Sequence, residues 1–201
     1  MDDFTYEETK HEYRLNGLVI PSVTKIIGDI FPISDFISKE LLEQKADLGK
    51  KIHSTTQLHD EGTLDENNLH PILKNYLGSW IKFRKDYDVQ FDLDSLPEQI
   101  EVLLYHTIYK FAGRVDRIPL ISKEHCIVDL KSGTEQKKTH ALQTAAYAML
   151  ANQLLDKKFK IKKRYAVYLS ETGYKVTEHK ITNDENVFLS CLSIYNYRRI
   201  K

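Results

Sequence analysis

Cysteine is scarce in this chain of 201 residues, which contains only Cys126 and Cys191. Two cysteines exclude a disulfide framework and any site that needs four thiolates, such as an iron–sulfur cluster. The chain also lacks the run of about 18 apolar residues that a membrane-spanning helix requires. Its polar, acidic start at residues 1–10 is not typical of a signal peptide. We therefore expect a soluble protein of a reducing cytosol, with no membrane partner.

An excess of charge of one sign is missing as well. The 29 Lys and Arg residues balance 29 Asp and Glu residues, so the chain is not an obvious polybasic nucleic-acid binder. The charge is nevertheless uneven, because residues 131–164 hold nine basic and two acidic residues. A run of this kind is either a solvated face or a footprint for phosphates, and the sequence leaves both interpretations open. The basic run consists of Lys157, Lys158, Lys160, Lys162, Lys163 and Arg164.

Hydrophobic periodicity predicts one domain, since there is no repeat and no long linker. The predicted segments are an N-terminal β-hairpin within 1–24, a helical region at 34–90, an α/β core at 98–179 and a C-terminal helix at 184–201. The hairpin turns at Asn16-Gly17, and Ser22 is placed to cap the first helix. Within this plan we predict helices at 34–60, 71–87 and 137–155 and strands at 99–105, 108–118, 126–130, 164–170 and 174–179. The order, helices-βββ-α-ββ-α, is typical of an α/β fold.

Two carboxylates and a lysine stand where two adjacent predicted strands end. Asp116 lies near the end of one strand, and Asp129 and Lys131 follow on the next. Alternate side chains of a strand share a face, so Asp129 and Lys131 project together, and Asp116 reaches them if the strands pair. An Asp-x-Lys sequence alone is commonly a surface ion pair, but a charge on a buried strand is costly unless a metal or a partner offsets it. Carboxylate oxygens suit Mg²⁺ or Mn²⁺, so we predict a divalent-cation site.

Further residues extend this pattern into that of a known family. Upstream lies a Gly-x-x-x-His sequence, Gly49 to His53, and downstream a Gln-x-x-x-Tyr sequence, Gln143 to Tyr147. Glu101 lies on the predicted strand that comes before the strand of Asp116. With Asp116 and Asp129-Leu130-Lys131, the chain resembles the PD-(D/E)XK nuclease superfamily, and within it the RecB-like exonucleases that include many phage recombination nucleases. It departs from the commoner pattern in having Asp rather than Glu at position 129.

The resemblance implies a restriction-endonuclease-like core, in which helices flank a central mixed β-sheet. It also implies one or two Mg²⁺ or Mn²⁺ ions, no iron–sulfur cluster, and a role for each matched residue. Lys131 would orient the attacking water, and Gln143 and Tyr147 would contact the DNA backbone or support the active-site strand. Without the family, His53 would be a core histidine, Glu101 a strand-edge charge, and Gln143 and Tyr147 a cap and a core residue. The implied metal ligands are Asp116, Asp129, the Leu130 carbonyl, His53 and Glu101.

The implied substrate is DNA, as ends or single strands. We expect backbone contacts from Arg114, Arg117 and the basic run at 157–164, because phosphate contacts hold a strand without reading its sequence. By analogy, a single-strand-binding or strand-annealing protein is a partner in phage or mobile-element recombination or in DNA repair. The location would then be a bacterial or phage-infected cytosol, and the oligomeric state stays open.

The leading hypothesis is a metal-dependent exonuclease that leaves 5′-phosphates. The same active-site residues would serve an endonuclease that cuts at flaps, forks or junctions. A catalytically silent nuclease fold that only binds DNA is another class, although such proteins usually lose the lysine or one carboxylate. A small-molecule α/β enzyme lacks support, since the chain has no glycine-rich phosphate loop.

Overall fold

The structure is a computed structural model that describes residues 2–32, 38–92, 96, 98–133, 137–154, 160–180 and 182–200. It begins with a three-stranded antiparallel sheet of β1 (Phe4–Glu7), β2 (Glu12–Leu15) and β3 (Leu18–Ile20). The predicted turn at Asn16-Gly17 is confirmed, and both residues have the positive φ that a tight hairpin turn requires. The predicted N-terminal hairpin is confirmed as the pair β2 and β3, and the structure adds β1 to it, because the chain also turns at residues 8–11. His11 has a φ of 48° in that turn, which contains no glycine or proline to signal it.

Three helices follow the N-terminal sheet. They are α1 (Val23–Ile30), α2 (Lys39–Asp60) and α3 (Pro71–Asp86). A short 3₁₀ helix at Glu66–Asn68 precedes α3. The predicted cap is confirmed, because the Ser22 hydroxyl accepts a hydrogen bond of 3.1 Å from the amide of Lys25. The residues that open the predicted helix at 34–60 lie partly outside the described residues.

A mixed central sheet occupies the rest of the fold. Its strands are β4 (Ile100–Tyr105), β5 (Ala112–Arg117), β6 (Leu120–Ile121), β7 (Glu124–Ser132), β8 (Lys163–Ser170) and β9 (Gly173–Glu178). The strand order is β4-β5-β7-β8-β9, with β6 paired to β7. Strands β7 and β8 are parallel, and the other pairs are antiparallel. The helices α4 (Lys138–Leu154) and α5 (Asp184–Tyr197) complete the chain.

Helices cover both faces of this sheet, as predicted. Ile127 of β7 packs in a core with residues of α1, α4 and α5, whereas Val128 and Leu130 pack in a second core with residues of α2 and α3. Alternate residues of β7 therefore face opposite layers, and Asp129 and Lys131 point away from α2 and α3, toward α4. Within the described part of the chain, no helix is both long and apolar enough to cross a membrane.

Candidate metal centre

Donor atoms of three residues converge at one edge of the central sheet. The Nδ1 atom of His53 on α2 lies 3.7 Å from Glu101 Oε1 on β4 and 3.6 Å from Asp116 Oδ1 on β5. One ligand atom from each of these residues lies within 4.8 Å of the other two. An imidazole and two carboxylates form a donor set that suits Mn²⁺ or Mg²⁺. The structure thus brings three of the predicted ligands together from three separate elements.

Strand register aligns the carboxylates. Ile100 and Val102 pair with Arg117 and Val115, so Glu101 lies opposite Asp116 between β4 and β5. Arg117 also pairs with Val128 on the antiparallel strand β7, so Asp129 is the next residue beside Asp116. Glu101 has a φ of 50°, which is uncommon for a residue other than glycine and is often found at functional sites. Three carboxylates thus form a row across neighbouring strands.

Asp129 provides the test of whether this site fits a cation. Its residue is 1% exposed, and neither carboxylate oxygen has a hydrogen-bond donor among the described residues. The Lys131 Nζ atom lies 2.7 Å from Asp129 Oδ2 as an ion pair, although without hydrogen-bond geometry. A buried carboxylate that lacks hydrogen bonds is costly to keep ionised. A divalent cation would bind the oxygens that lack donors and would add to the positive charge of Lys131, so the residues present fit the metal.

Asp116 is held in place by the neighbouring strand. Its Oδ2 atom accepts a hydrogen bond of 2.7 Å from the amide of Leu130, which leaves Oδ1 facing His53. Burial raises the pKa of Asp116 to about 6, His53 opposes this rise, and the Asp129 and Glu101 carboxylates add to it. The metal-free site therefore holds a proton more readily than an isolated carboxyl group does.

The pKa values of His53 and Glu101 shift in the directions expected of an ion pair. Burial opposes protonation of His53, but Asp116 and Glu101 together outweigh it and raise the pKa of the imidazole. Burial likewise raises the pKa of Glu101, but His53 and the Arg117 guanidinium outweigh it and hold that pKa below its ordinary value. A cation would have to displace the proton from His53, since only a neutral imidazole binds a metal.

A chain of hydrogen bonds holds Lys131 from the side of α4. The Lys131 Nζ atom donates to Gln143 Oε1 at 3.0 Å, and Gln143 Nε2 donates to the Tyr147 hydroxyl at 3.0 Å. Tyr147 is buried against Gly113 of β5, where an added Cβ would lie 2.7 Å from a carbon of the tyrosine ring. Gly113 is thus required by the close approach of this ring. The amide of Gln143 bridges the lysine and the tyrosine.

More than half of the chain matches the model of a known protein family. The model of the PD-(D/E)XK nuclease superfamily matches residues 71–188. The chain belongs to this superfamily. The matched range contains Glu101, Asp116, Asp129 and Lys131 but not His53. The superfamily is one of nucleases that use divalent metals, which accords with the donor set described above.

Two solved structures resemble the chain at low sequence identity. A structure from Eubacterium rectale, provisionally described as an exonuclease, has a TM-score of 0.48 and 16% identity, and covers 86% of this chain and 70% of that chain. A second, SSO0001, has a TM-score of 0.38 and 15% identity, with coverages of 89% and 85%. Neither similarity is strong enough to bear on activity. A search of curated proteins finds no significant match.

Behind the metal centre lies a buried ionic network that the sequence did not reveal. The Arg117 side chain is fully buried, donates to Asp60 Oδ2 at 2.7 Å and to Glu101 Oε1 at 3.0 Å, and contacts the Thr56 hydroxyl at 3.2 Å. The other Asp60 oxygen accepts hydrogen bonds from Trp80 and Arg84. The prediction that Arg117 contacts DNA is therefore wrong, because every nitrogen of its guanidinium is bound inside this PD-(D/E)XK fold.

The residues at 162–164 of the basic run lie away from the metal centre. Arg164 is buried and donates to Asp184 at 2.9 Å, so its prediction as a DNA contact is also wrong. Lys162 and Lys163 lie 3.4 and 2.9 Å from the two carboxylate oxygens of Glu124. On β8, Lys163 pairs with Cys126, and Tyr168 pairs with Lys131. Lys163 therefore lies five residues, or about 16 Å, along the strand from the residue beside Lys131. Lys160 is exposed, and Lys157 and Lys158 lie outside the described residues.

A cleft of about 920 Å³ opens onto the metal centre. His53, Glu101 and Asp116 line it together with Arg114, which is the predicted DNA contact that the structure does bring to the site. Residues of the N-terminal sheet and of α2, including Tyr6, His11, Lys45 and Lys50, also line it. Sequence reasoning did not assign these four residues to the site.

Proposed function

We propose that this protein is a metal-dependent deoxyribonuclease, and specifically an exonuclease of the RecB-like kind that leaves 5′-phosphates. The single observation that carries the proposal is the Asp129 carboxylate, which is buried without a hydrogen-bond donor among the described residues and stands in a row with Asp116 and Glu101. Lys131 adjoins it at 2.7 Å. This arrangement supports hydrolysis of a phosphodiester bond, where negative charge develops on phosphate oxygens.

The proposed ligands of Mg²⁺ or Mn²⁺ are Asp116, Asp129, His53, Glu101 and the Leu130 carbonyl. When bound, such an ion lowers the pKa of water and offsets phosphate charge. Asp116 is already oriented by the Leu130 amide, and Glu101 by Arg117, so little rearrangement is needed to present oxygens to the ion. The preference for Mg²⁺ or Mn²⁺ depends on His53, because an imidazole nitrogen favours Mn²⁺ more than carboxylates alone do.

Lys131 acts on the substrate side of the site. Its ammonium group lies between Asp129 and Gln143, which fixes its position and leaves one of its three N–H donors for the substrate. We assign it to hold the attacking water and to stabilise the charge that builds on the phosphate. Gln143 and Tyr147 are positioning residues, because they act through the lysine.

The exonuclease assignment rests on the resemblance to RecB-like enzymes, as do the role in phage recombination or repair and a single-strand-binding partner. The position of the cleft is equally compatible with cleavage at flaps or junctions. DNA topology separates the two activities, since an exonuclease needs an end and an endonuclease does not.

The test is cleavage of end-labelled linear DNA and covalently closed circles, single- and double-stranded, with Mg²⁺, Mn²⁺ or EDTA. We expect loss of linear DNA only with metal, circles left intact, and no cleavage by Asp129→Asn. The matched control is Asp47→Asn on α2, whose exposed carboxylate pairs with Lys51. Cleavage of circles would replace the exonuclease with the endonuclease. Binding without cleavage under any metal would leave a DNA-binding module.

A further inference from the structure

The cleft above the metal centre has two walls of different chemistry. One wall is α2, which contributes Lys45 and Lys50. The other is the N-terminal sheet, which contributes Tyr6 and His11, with Arg114 of β5 beside them. Charged and aromatic residues thus line one cleft together with the carboxylates Glu101 and Asp116.

Tyr6 is held rigidly at this opening. Its ring centroid lies 4.6 Å from that of Tyr13, the Arg114 guanidinium lies 4.8 Å from the Tyr6 ring centroid, and its hydroxyl is 2.9 Å from His11 Nδ1. The side chain is half-buried, and His11 is exposed. Three contacts therefore fix a ring that still borders the cleft. A fixed aromatic surface of this kind loses little conformational entropy when a flat ligand packs on it.

The wall that carries Tyr6 is anchored to the strand that carries Asp116. Tyr13, Leu15, Ile20 and Ala112 form a small buried core between the N-terminal sheet and β5. The amide of Ala112 donates to the carbonyl of Pro21 at 3.0 Å. The N-terminal sheet is thereby fixed relative to the metal centre.

The opposite wall complements a polyanion. Lys45 and Lys50 are exposed, and neither has an acidic partner at ion-pair distance in the described part of the chain. Lys51 on the same helix, by contrast, lies 2.6 Å from Asp47. Glu8 lies 3.8 Å from Arg114, and its side chain is 78% exposed. Lysines without partners are suited to phosphate oxygens.

We propose that the N-terminal sheet is a binding surface for an unpaired nucleotide of the DNA substrate. The base stacks on Tyr6 beside Arg114, and the flanking phosphates run along Lys45 and Lys50. Only an unpaired or terminal base has a free face to offer, because bases inside a duplex are stacked on both sides. The proposal rests on the proposed nuclease function and names the form of DNA that enters its cleft.

The test measures binding in EDTA, which stops metal-dependent cleavage. The probe is a short single-stranded oligonucleotide that carries 2-aminopurine, whose fluorescence is quenched by stacking. We expect Tyr6→Leu to weaken binding on the order of tenfold and to abolish the protein-induced quenching. Tyr6→Phe, which keeps the ring and loses the hydroxyl, should retain both. Tyr197→Leu is the matched control, since this tyrosine is 77% exposed at the end of α5 and does not line the cleft.

The lysine wall is tested without touching the aromatic core. Changing Lys45 and Lys50 together to Ala should reduce the slope of log affinity against log salt by about one to two, whereas the same change at Lys162 and Lys163 should leave it unaltered. Equal slopes for the two double variants, or unchanged binding by Tyr6→Leu, would overturn the proposal. An equal loss of affinity for blunt duplex DNA in Tyr6→Leu would overturn it too.

The two proposals fail in different ways. Metal-dependent cleavage by the wild-type protein together with unaltered binding by Tyr6→Leu would reject the stacking of a base on Tyr6 and keep the nuclease. Absence of cleavage with every metal, together with loss of the fluorescence quenching in Tyr6→Leu, would reject the nuclease and keep the stacking of a base on Tyr6. Thermal unfolding of each variant, monitored by circular dichroism, identifies any loss of DNA affinity that comes from misfolding. If Tyr6→Leu misfolds, Tyr6→Phe still tests whether the ring without its hydroxyl supports the quenching.

Discussion

The buried guanidinium of Arg117 lies 3.0 Å from Glu101, so a candidate metal ligand is held by a cation that solvent does not reach. The same side chain lies 2.7 Å from Asp60 at the end of α2. Because α2 also carries His53, this network links two of the proposed ligands through one residue. Folding of the helical layer and shaping of the metal centre are therefore coupled.

Removal of this cation should destabilise the fold. Arg117→Met leaves the buried Asp60 and Glu101 carboxylates without their shared partner, and breaking a buried ion pair in this way costs about 3–5 kcal/mol. Urea unfolding measures the loss. The control is Arg198→Met, whose exposed pair with Asp29 should contribute less than about 1 kcal/mol. A loss at Arg117 as small as that at Arg198 would contradict the role given to the network.

Much of the fold was predictable because it is local. The change of period after residue 98, the Ser22 cap and the Asn16-Gly17 turn each depend on near neighbours in the chain, and the structure confirms them. The convergence of His53 with Asp116 was predictable only through the family pattern, since no local signal brings a helix to a strand 60 residues away.

Arg117 shows where sequence reasoning fails. Beside an acidic motif it has the appearance of a phosphate contact, and its partner Asp60 lies 57 residues upstream with nothing in the sequence to connect them. The ion pairs of Lys162 and Lys163 with Glu124 were unpredictable for a similar reason, because Glu124 joins these lysines only through the pairing of β7 with β8. A charge run can be read from the sequence, but its exposure and its partners depend on strand register, since Arg164 is buried and Lys160 of the same run is exposed.

Alanine at Gly113 and alanine at Gly78 should change the free energy of unfolding in opposite directions. Gly113→Ala places a Cβ 2.7 Å from the Tyr147 ring, and overpacking of this kind costs about 1–3 kcal/mol. Gly78→Ala, at an exposed position of α3 with nothing within 4 Å, should stabilise the protein by up to about 1 kcal/mol. Thermal unfolding compares the two, and a stabilised Gly113→Ala would refute the close packing.

Loss of the Gln143 bridge should impair turnover more than metal binding. Gln143→Leu keeps the apolar part of the side chain but leaves Lys131 Nζ without its 3.0 Å acceptor. We expect kcat to fall by about tenfold or more, since a misplaced charge stabilises the transition state less well. Mn²⁺ affinity should stay within about twofold, because Gln143 is not a proposed ligand. A fall in Mn²⁺ affinity that matches the fall in kcat would instead make Gln143 part of the metal site.

Replacement of Lys131 is the sharper form of the same experiment. Lys131→Ala should reduce kcat by about a hundredfold or more, by the loss of charge stabilisation at the phosphate. Lys131→Arg retains the charge, so a partial recovery of kcat would confirm that charge matters. Unchanged turnover in Lys131→Ala would remove this residue from the mechanism.

The pKa of Asp116 predicts the pH dependence of metal binding. Burial raises this pKa from 3.8 to about 6, so between these values the folded protein keeps a proton that the unfolded chain releases. Without metal, the contribution of this carboxyl to the free energy of unfolding should therefore fall as pH rises from about 4 to 6. Metal binding shows the opposite trend, since the ion requires the ionised carboxylate, and Mn²⁺ affinity should fall by at least about tenfold for each pH unit below 6, one factor of ten for each proton released.

Calorimetric titration with Mn²⁺ at several pH values measures this dependence. Because His53 also has a raised pKa, binding near pH 6 should release protons from both groups, which buffers of different ionisation enthalpy detect. Asp116→Asn should bind Mn²⁺ weakly and should lose the part of the proton release that comes from the carboxyl group. A wild-type affinity that stays constant from pH 5 to 7 would mean that neither Asp116 nor His53 gives up a proton to the ion, and the metal centre would then have to lie elsewhere.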